Sequence, residues 1–331
     1  MSSMTNLNND EANYRVLRLW KSMYRIRAIE ERIAANYSKG KMRCPTHLSI
    51  GQEAVPSAVS ENLKINDFAV STHRGHAHYL AKGGSLKAMI SELYGKSTGC
   101  CGGRGGSMHL ADTSVGFMGT TAIVGNSIPL GVGLALSAQL RNTSQISCVY
   151  LGDGAIEEGA FYESVNFSVV RNLPVLFVCE NNFYSVYSSL EVRQPSNRKI
   201  YKMVEAMGLS VDSCDGNDAV ESCRIAANAI SKIRSGNGPY FIEFATYRWR
   251  EHCGPDFDNQ LKYRSMDEVE SWMARDPVSL AEQFLNRSRP SFMIELEKYR
   301  NAVQNEIDEA FEFAETSPFP DPLSVGLGVY A

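Results

Sequence analysis

Two short apolar runs stand out along the chain, "ISCVYLG" at 146–152 and "PVLFVCE" at 174–180. Between them, residues 156–170 repeat their apolar positions with a helical period. Strand, helix and strand with short connections predict a parallel βαβ unit. "LSVD" (209–212), a helix from Asp218 to Arg234 and "YFIEFAT" (240–246) continue the alternation. Upstream, residues 11–38 have helical spacing with a mixed-charge face (Arg25, Arg27, Glu30, Glu31, Arg32). "GQEAVPSAVSENL" (51–63) predicts a second helix and "DFAVST" (67–72) a short buried strand. Residues 95–119 read as loop, because six glycines fall between Gly95 and Gly106 and periodicity is weak. A small-residue helix follows near 125–140, and residues 254–270 are polar and loop-rich. The pattern predicts the α/β class, a mostly parallel sheet covered by helices on both faces. With no repeat, low-complexity tract or linker, residues 1–331 read as a single domain with a peripheral C-terminal helix and tail over 291–331.

Composition narrows the class. The chain has 331 residues, enough for a sizeable core, and a formal net charge of −4. That balance carries no nucleic-acid footprint and no polybasic membrane patch. The N-terminus lacks a basic segment followed by an apolar core, so no secretory signal is read. The most apolar long stretch, Ala122 to Leu140, carries Asn126, Ser127, Pro129, Gln139 and three glycines, which suits a buried helix and not a membrane span. None of the eight cysteines forms a C-x-x-C pair, and Cys148 and Cys179 lie in apolar runs. Reduced, mostly buried cysteines in a cytoplasmic protein are expected.

The chemistry concentrates at "GDGAIEEGAFYESVNFSVVRNLPVLFVCENN" (152–182). Ligands bind parallel sheets beyond the carboxyl ends of the strands, where Asp153 and Asn182 both fall. Gly152 and Gly154 allow a close backbone approach. The helix beginning near Ile156 would aim free N–H groups at the same place, which favours a phosphate. A carboxylate beside a phosphate needs a cation between them. One carboxylate, one amide oxygen and a backbone carbonyl, completed by phosphate oxygens and water, suit Mg²⁺. The plainer alternative is a helix cap at Asp153 and a turn at Asn181–Asn182.

The GDG…NN spacing resembles the thiamin diphosphate motif. The chain is similar to the alpha subunit of thiamin-dependent 2-oxo acid dehydrogenases of the pyruvate, branched-chain or acetoin type. "HLSIGQEAV" (47–55), "STHRGHAHYLAKGG" (71–84), "GGRGGSMHL" (102–110), "AIVGNSIPLGVGLALS" (122–137) and "GPYFIEFATYRWREH" (238–252) fall in that family's order. The resemblance implies a thiamin diphosphate-binding fold. It implies that Asp153 and Asn182 bind Mg²⁺ through side chains and Tyr184 through its carbonyl. Gly154 and Ala155 would give N–H groups to the diphosphate, and Arg74 would clamp it, a role suited to a guanidinium fork. Ala122 and Val124 would meet the aminopyrimidine through backbone groups, and Val186 would bend the cofactor. His47, His76 and His252 match active-site histidines. The implied reaction is oxidative decarboxylation of a pyruvate-like 2-oxo acid, or acetoin cleavage, with acyl transfer to a lipoyl carrier. The implied partners are a beta subunit in an α2β2 assembly and a lipoyl-bearing acyltransferase. A thiamin lyase or ligase without a lipoyl partner, and a non-catalytic scaffold subunit, are the alternatives.

Two departures from the family pattern matter. His73 stands where an aromatic, commonly Tyr, is usual, so its diphosphate contact would be made by an imidazole. "YRWREHC" (247–253) has Glu251 for a glycine and Cys253 for a phosphorylated serine, so no serine switch is expected there. His73, His76 and His78 could share zinc by spacing, yet no cysteine lies near in sequence. "GKS" at 95–97 fails as a P-loop because residue 90 is Ile, and "GVGLAL" at 131–136 lacks a third glycine and a preceding strand. Gly125, Gly131 and Gly133 instead suggest a close helix contact.

Overall fold

The computed structural model describes residues 9–42, 44–324 and 326–327. In chain order, α1 (Asn9–Tyr37) and α2 (Ala54–Ser60) precede β1 (Phe68–Ser71), α3 (His76–Ala81) and α4 (Leu86–Leu93). β2 (Phe117–Thr120), α5 (Ser127–Leu140), β3 (Ser147–Gly152), α6 (Gly159–Val170) and β4 (Val175–Asn181) follow. A small hairpin, β5 (Tyr184–Ser185) and β6 (Ser188–Ser189), leads through α7 (Leu190–Arg193) and α8 (Ile200–Glu205) to β7 (Ser210–Asp215). Then come α9 (Ala219–Arg234), β8 (Tyr240–Ala245), α10 (Met266–Met273), α11 (Pro277–Ser288) and α12 (Phe292–Thr316).

Among the described residues a six-stranded sheet runs β2-β1-β3-β4-β8-β7, with every pairing parallel. Alternate side chains divide between its faces. Cys148 and Tyr150 of β3, Leu176 and Val178 of β4, and Tyr240, Ile242 and Phe244 of β8 join the core under α2, α3, α4 and α9. Val149, Leu151, Val175, Phe177 and Phe241 join the core under α5, α6 and α8. Every residue of β4 is buried, as its unbroken apolar run predicts. α9 shows why a helix forms where it does. Asp218 caps the N–H groups of Val220 and Glu221, Ile225, Ala226, Ala229, Ile230 and Ile233 face the core, and Lys232 and Arg234 sit in the last turn.

Several local expectations change. α2 is shorter than 51–63, because Gly51 (φ +98°) and a Gln52 N–H to Ser49 carbonyl bond form a turn before it. Residues 153–157 form a 3₁₀ turn, and α6 starts only at Gly159 because Glu158 is extended. The loop-like stretch hides β2, so a strand does precede α5. The glycines of "GVGLAL" nonetheless lie inside α5, away from any strand–helix turn. A Cβ on Gly131 would come within 2.3 Å of Val149 and 2.8 Å of Val70, whereas one on Gly133 meets nothing within 4 Å. The close contact at Gly131 is therefore with the chain's own sheet. α12 is no peripheral appendage: Val303, Ile307, Ala310, Phe311 and Ala314 enter the main core, and Lys21–Glu295 (2.5 Å) and Arg25–Glu306 (2.6 Å) tie it to α1. No helix among the described residues is long and apolar enough to cross a membrane.

Candidate active site

The expected site residues gather at one edge of the sheet, on connections that leave the carboxyl ends of the strands. His73 and Arg74 follow β1, Ala122 and Val124 follow β2, Asp153 follows β3, Asn182 follows β4, and His252 lies beyond β8. Register aligns these ends, with Gly152 opposite Glu180 and Asn181 opposite Ala245. Parallel α/β sheets place ligands in such a crevice.

Asp153 is only 2% exposed. Burial pushes its carboxyl above the usual range, opposed by the Arg193 guanidinium and by backbone N–H groups including that of Asn182. Arg193 donates to Asp153 through Nη2 and to Glu157 through Nη1 at 2.6 Å. Beside it, a Cβ on Gly154 would come within 2.9 Å of the Ser185 hydroxyl, so a larger residue would displace the hairpin. Asn182 donates from Nδ2 to Gln52 Oε1 at 3.1 Å, which leaves Oδ1 as the acceptor, here of the Tyr184 N–H at 3.2 Å. Ala122 is half-buried, Val124 is exposed, and Gly125 (φ +79°) abuts the Glu158 side chain, so the β2–α5 connection meets the start of α6.

Three imidazoles converge from distant segments. The ring centroids of His47 and His73 are 4.6 Å apart, those of His47 and His252 5.0 Å, and those of His73 and His252 5.4 Å. Burial first, then the Arg74 charge, lowers His47 to about 2, His73 to about 4 and His252 to about 3. All three are neutral at pH 7. His47 Nδ1 is buried without a hydrogen-bond partner. Arg74 is buried and donates to the carbonyls of Leu48 (2.7 Å) and His252 (3.0 Å). Among the described residues no carboxylate lies within salt-bridge distance of it, and burial and the Arg248 charge lower it to about 9. A buried guanidinium without a counter-ion is costly and is relieved by an anion.

Val186 turns the β5–β6 hairpin at φ +54°, uncommon for a β-branched residue. It is 42% exposed, and its carbonyl accepts from Arg248 Nη2 at 2.7 Å. Arg248, 1% exposed, also donates to Tyr263 (2.7 Å) and pairs with Asp258 (3.5 Å).

His76 is a correction. It is fully buried, with Nδ1 bonded to Glu30 (2.6 Å) and Nε2 to Ser107 (2.7 Å), so neither nitrogen is open to a ligand. Its place is to tie the start of α3 to α1 and to the glycine-rich segment after α4. The zinc grouping considered for His73, His76 and His78 is not formed, since His78 Nδ1 bonds the Ser71 hydroxyl at 2.8 Å. Glu157 shares Arg193 with Asp153. Sequence reasoning missed Gln52, Glu157, Arg193 and Arg248. Gln52, Glu157 and Arg248 lie within the quoted "GQEAV", "GDGAIEE" and "YRWREH" segments, and Arg193 carries no local signal.

Comparison with known proteins identifies the family. The family described as dehydrogenase E1 component matches residues 21–323. The chain is 36% identical over 314 residues to the pyruvate dehydrogenase E1 component subunit alpha of Rickettsia felis, covering 95% of each chain. It is 35% identical over 326 residues to the protein of the same name from Porphyra purpurea, covering 96% of this chain and 94% of that one. It is 34% identical over 329 residues to the chloroplastic pyruvate dehydrogenase E1 component subunit alpha-3 of Arabidopsis thaliana, covering 94% of this chain and 76% of that one. By the family match and by these relatives, the chain belongs to the dehydrogenase E1 component family.

Proposed function

We propose that this chain is the alpha subunit of a thiamin diphosphate-dependent 2-oxo acid dehydrogenase, which oxidatively decarboxylates a pyruvate-like 2-oxo acid and passes the acyl group to a lipoyl carrier. The observation that carries this reading is a pair of opposite buried charges at neighbouring strand ends. Asp153 after β3 is a cation-binding carboxylate, matched here by Arg193, and Arg74 after β1 has no counter-ion among the described residues and calls for an anion. A magnesium diphosphate satisfies both.

The residues present fit the group. Asp153 is a buried carboxylate matched here by Arg193, Asn182 has its amide oxygen selected by Gln52, and Gly154 leaves no side chain in the way. Asp153, Asn182 and the Tyr184 carbonyl would hold Mg²⁺. Gly154 and Ala155 would donate N–H groups to the diphosphate, with Arg74 and His73 on its other side. Ala122 and Val124 would offer backbone groups to the aminopyrimidine, and Val186 would support the bend. Bound thiamin diphosphate supplies the electron sink for breaking the bond to the carboxylate carbon. His47 and His252, held neutral by burial, can orient the substrate carbonyl and accept a proton. Their clustering with Arg74 keeps that corner of the site low in bulk water.

This chain holds the diphosphate end, so a beta subunit must supply the pyrimidine end, in an α2β2 assembly served by a lipoyl-bearing acyltransferase. The relatives named above support decarboxylation over acetoin cleavage or a lyase reaction. All eight cysteines are free, which supports a reducing compartment such as the cytoplasm. The test is to assay the chain alone and with its beta subunit for reduction of an artificial electron acceptor across a panel of 2-oxo acids and acetoin. Turnover of a 2-oxo acid only by the pair is expected. Turnover by the lone chain, or of acetoin alone, would overturn the assignment.

A further inference from the structure

The glycine-rich loop between α4 and β2 carries adjacent cysteines that the proposed reaction does not use. The thiols of Cys100 and Cys101 and the carboxylate of Glu92 lie within 4.8 Å of one another. Glu92 is already spent. Its Oε2 accepts the N–H groups of Cys101 (2.8 Å) and Gly103 (2.9 Å), and its Oε1 those of Gly105 (2.6 Å) and Gly106 (3.1 Å). The carboxylate thus clasps the loop and presents two half-buried thiols side by side.

Neighbouring cysteines are poorly placed to oxidise to a disulfide. Their Cα atoms sit about 3.8 Å apart across a trans peptide. An unstrained disulfide needs about 4.4–6.8 Å. Inserting one atom between the sulfurs enlarges the ring and removes that strain. We infer that Cys100 and Cys101 form a dithiol site that takes a trivalent arsenical, bridged through a single arsenic atom. The two thiols are close enough to influence each other, with Cys101 lowered below the usual thiol range by its neighbour and Cys100 raised.

The step balances without an oxidant. Two S–As bonds form, the As=O bond of the arsine oxide breaks, and the two thiol protons leave with its oxygen as one water while arsenic stays trivalent. The other cysteines are not sequence neighbours of one another, and Cys148, Cys179 and Cys223 are buried.

The test treats the whole chain with phenylarsine oxide in excess monothiol and measures intact mass. One phenylarsenic adduct per chain is expected, removed by a small dithiol and mapped by peptide sequencing to the segment holding Cys100 and Cys101. It should be lost in Cys100→Ser and in Cys101→Ser and kept in Cys253→Ser. No monothiol-resistant adduct on the wild-type chain, an adduct mapped elsewhere, or one that survives in either serine variant would overturn the site. The peptide map of the wild-type chain decides the matter even where a variant folds poorly.

Discussion

Arg193 closes a contact with Asp153 across 40 residues of sequence, laying its guanidinium against the carboxylate that the proposed Mg²⁺ would use. The same guanidinium holds Glu157 at 2.6 Å. Two carboxylates, one of them deeply buried, therefore face a single cation supplied by the chain itself. Metal loading would exchange a tethered charge for a divalent one.

Replacing Arg193 with Met should leave Asp153 buried and unpaired in the cofactor-free chain, at a cost of about 3 kcal/mol. Saturating Mg²⁺ and thiamin diphosphate should shrink that loss, because the metal then supplies the charge. Denaturant unfolding with and without the cofactor checks this. An equal loss in both states would mean that Arg193 keeps Asp153 even in the loaded enzyme.

Val186→Ala should slow turnover more than it weakens cofactor binding, because the diphosphate anchors are untouched while the support for the bend is loosened. A misplacement of about 1 Å at a reacting centre can cost about 100-fold in rate. Arg248→Met should act in the same direction by freeing the Val186 carbonyl from its 2.7 Å bond. Cofactor affinity and turnover measured on one preparation separate the two effects. Parallel small changes would remove Val186 from that role.

The three site histidines give a signed pH dependence. Their folded values, about 2 for His47, about 3 for His252 and about 4 for His73, lie below the ordinary 6.5. Between about 4 and 6.5 the unfolded chain binds protons that the folded chain refuses, so stability falls as pH drops through that window. Above about pH 7.5 these groups contribute almost no slope. Each adds up to about 1.4 kcal/mol per pH unit. His73→Gln should flatten the fall in unfolding free energy between pH 6.5 and 5, and an unchanged slope would place His73 in water.

Gly131 and Gly133 are two residues apart on α5 and should respond oppositely. Gly131→Ala forces a methyl into Val149 and Val70 and should cost about 1–3 kcal/mol. Gly133→Ala meets open space and should stabilise the isolated chain by up to about 1 kcal/mol through helix propensity. If α5 forms part of the contact with the beta subunit, Gly133→Leu should weaken co-purification of the pair without unfolding the chain. Melting curves and pull-down of the beta subunit measure the two effects separately.

What could be read from sequence follows from range. β3 and β4 were legible because apolar runs with a helical repeat between them have few other solutions, and Asp153 and Asn182 were legible because they end those runs. β2 was hidden, since four residues containing a glycine at the sheet edge leave little pattern. The depth of α12 was hidden because its polar stripe and its core stripe are equally regular. The histidine cluster joins residues 47, 73 and 252, and the Arg193 contact depends on a hairpin and α7 folding back over the 3₁₀ turn that follows β3. Such meetings are tertiary, and composition does not announce them. The sharpest miss, His76, came from a matching position whose two nitrogens are both already bonded inside the fold.

The most direct measurement is calorimetric titration of thiamin diphosphate into the assembled alpha and beta subunits, with Mg²⁺ and after its removal by chelation, for the wild-type chain and Asp153→Ala. The wild-type assembly should bind only when Mg²⁺ is present, and Asp153→Ala should lose that binding while keeping its cooperative thermal transition. Equal cofactor affinity in the two assemblies, or wild-type affinity indifferent to Mg²⁺, would contradict the site at the ends of β3 and β4.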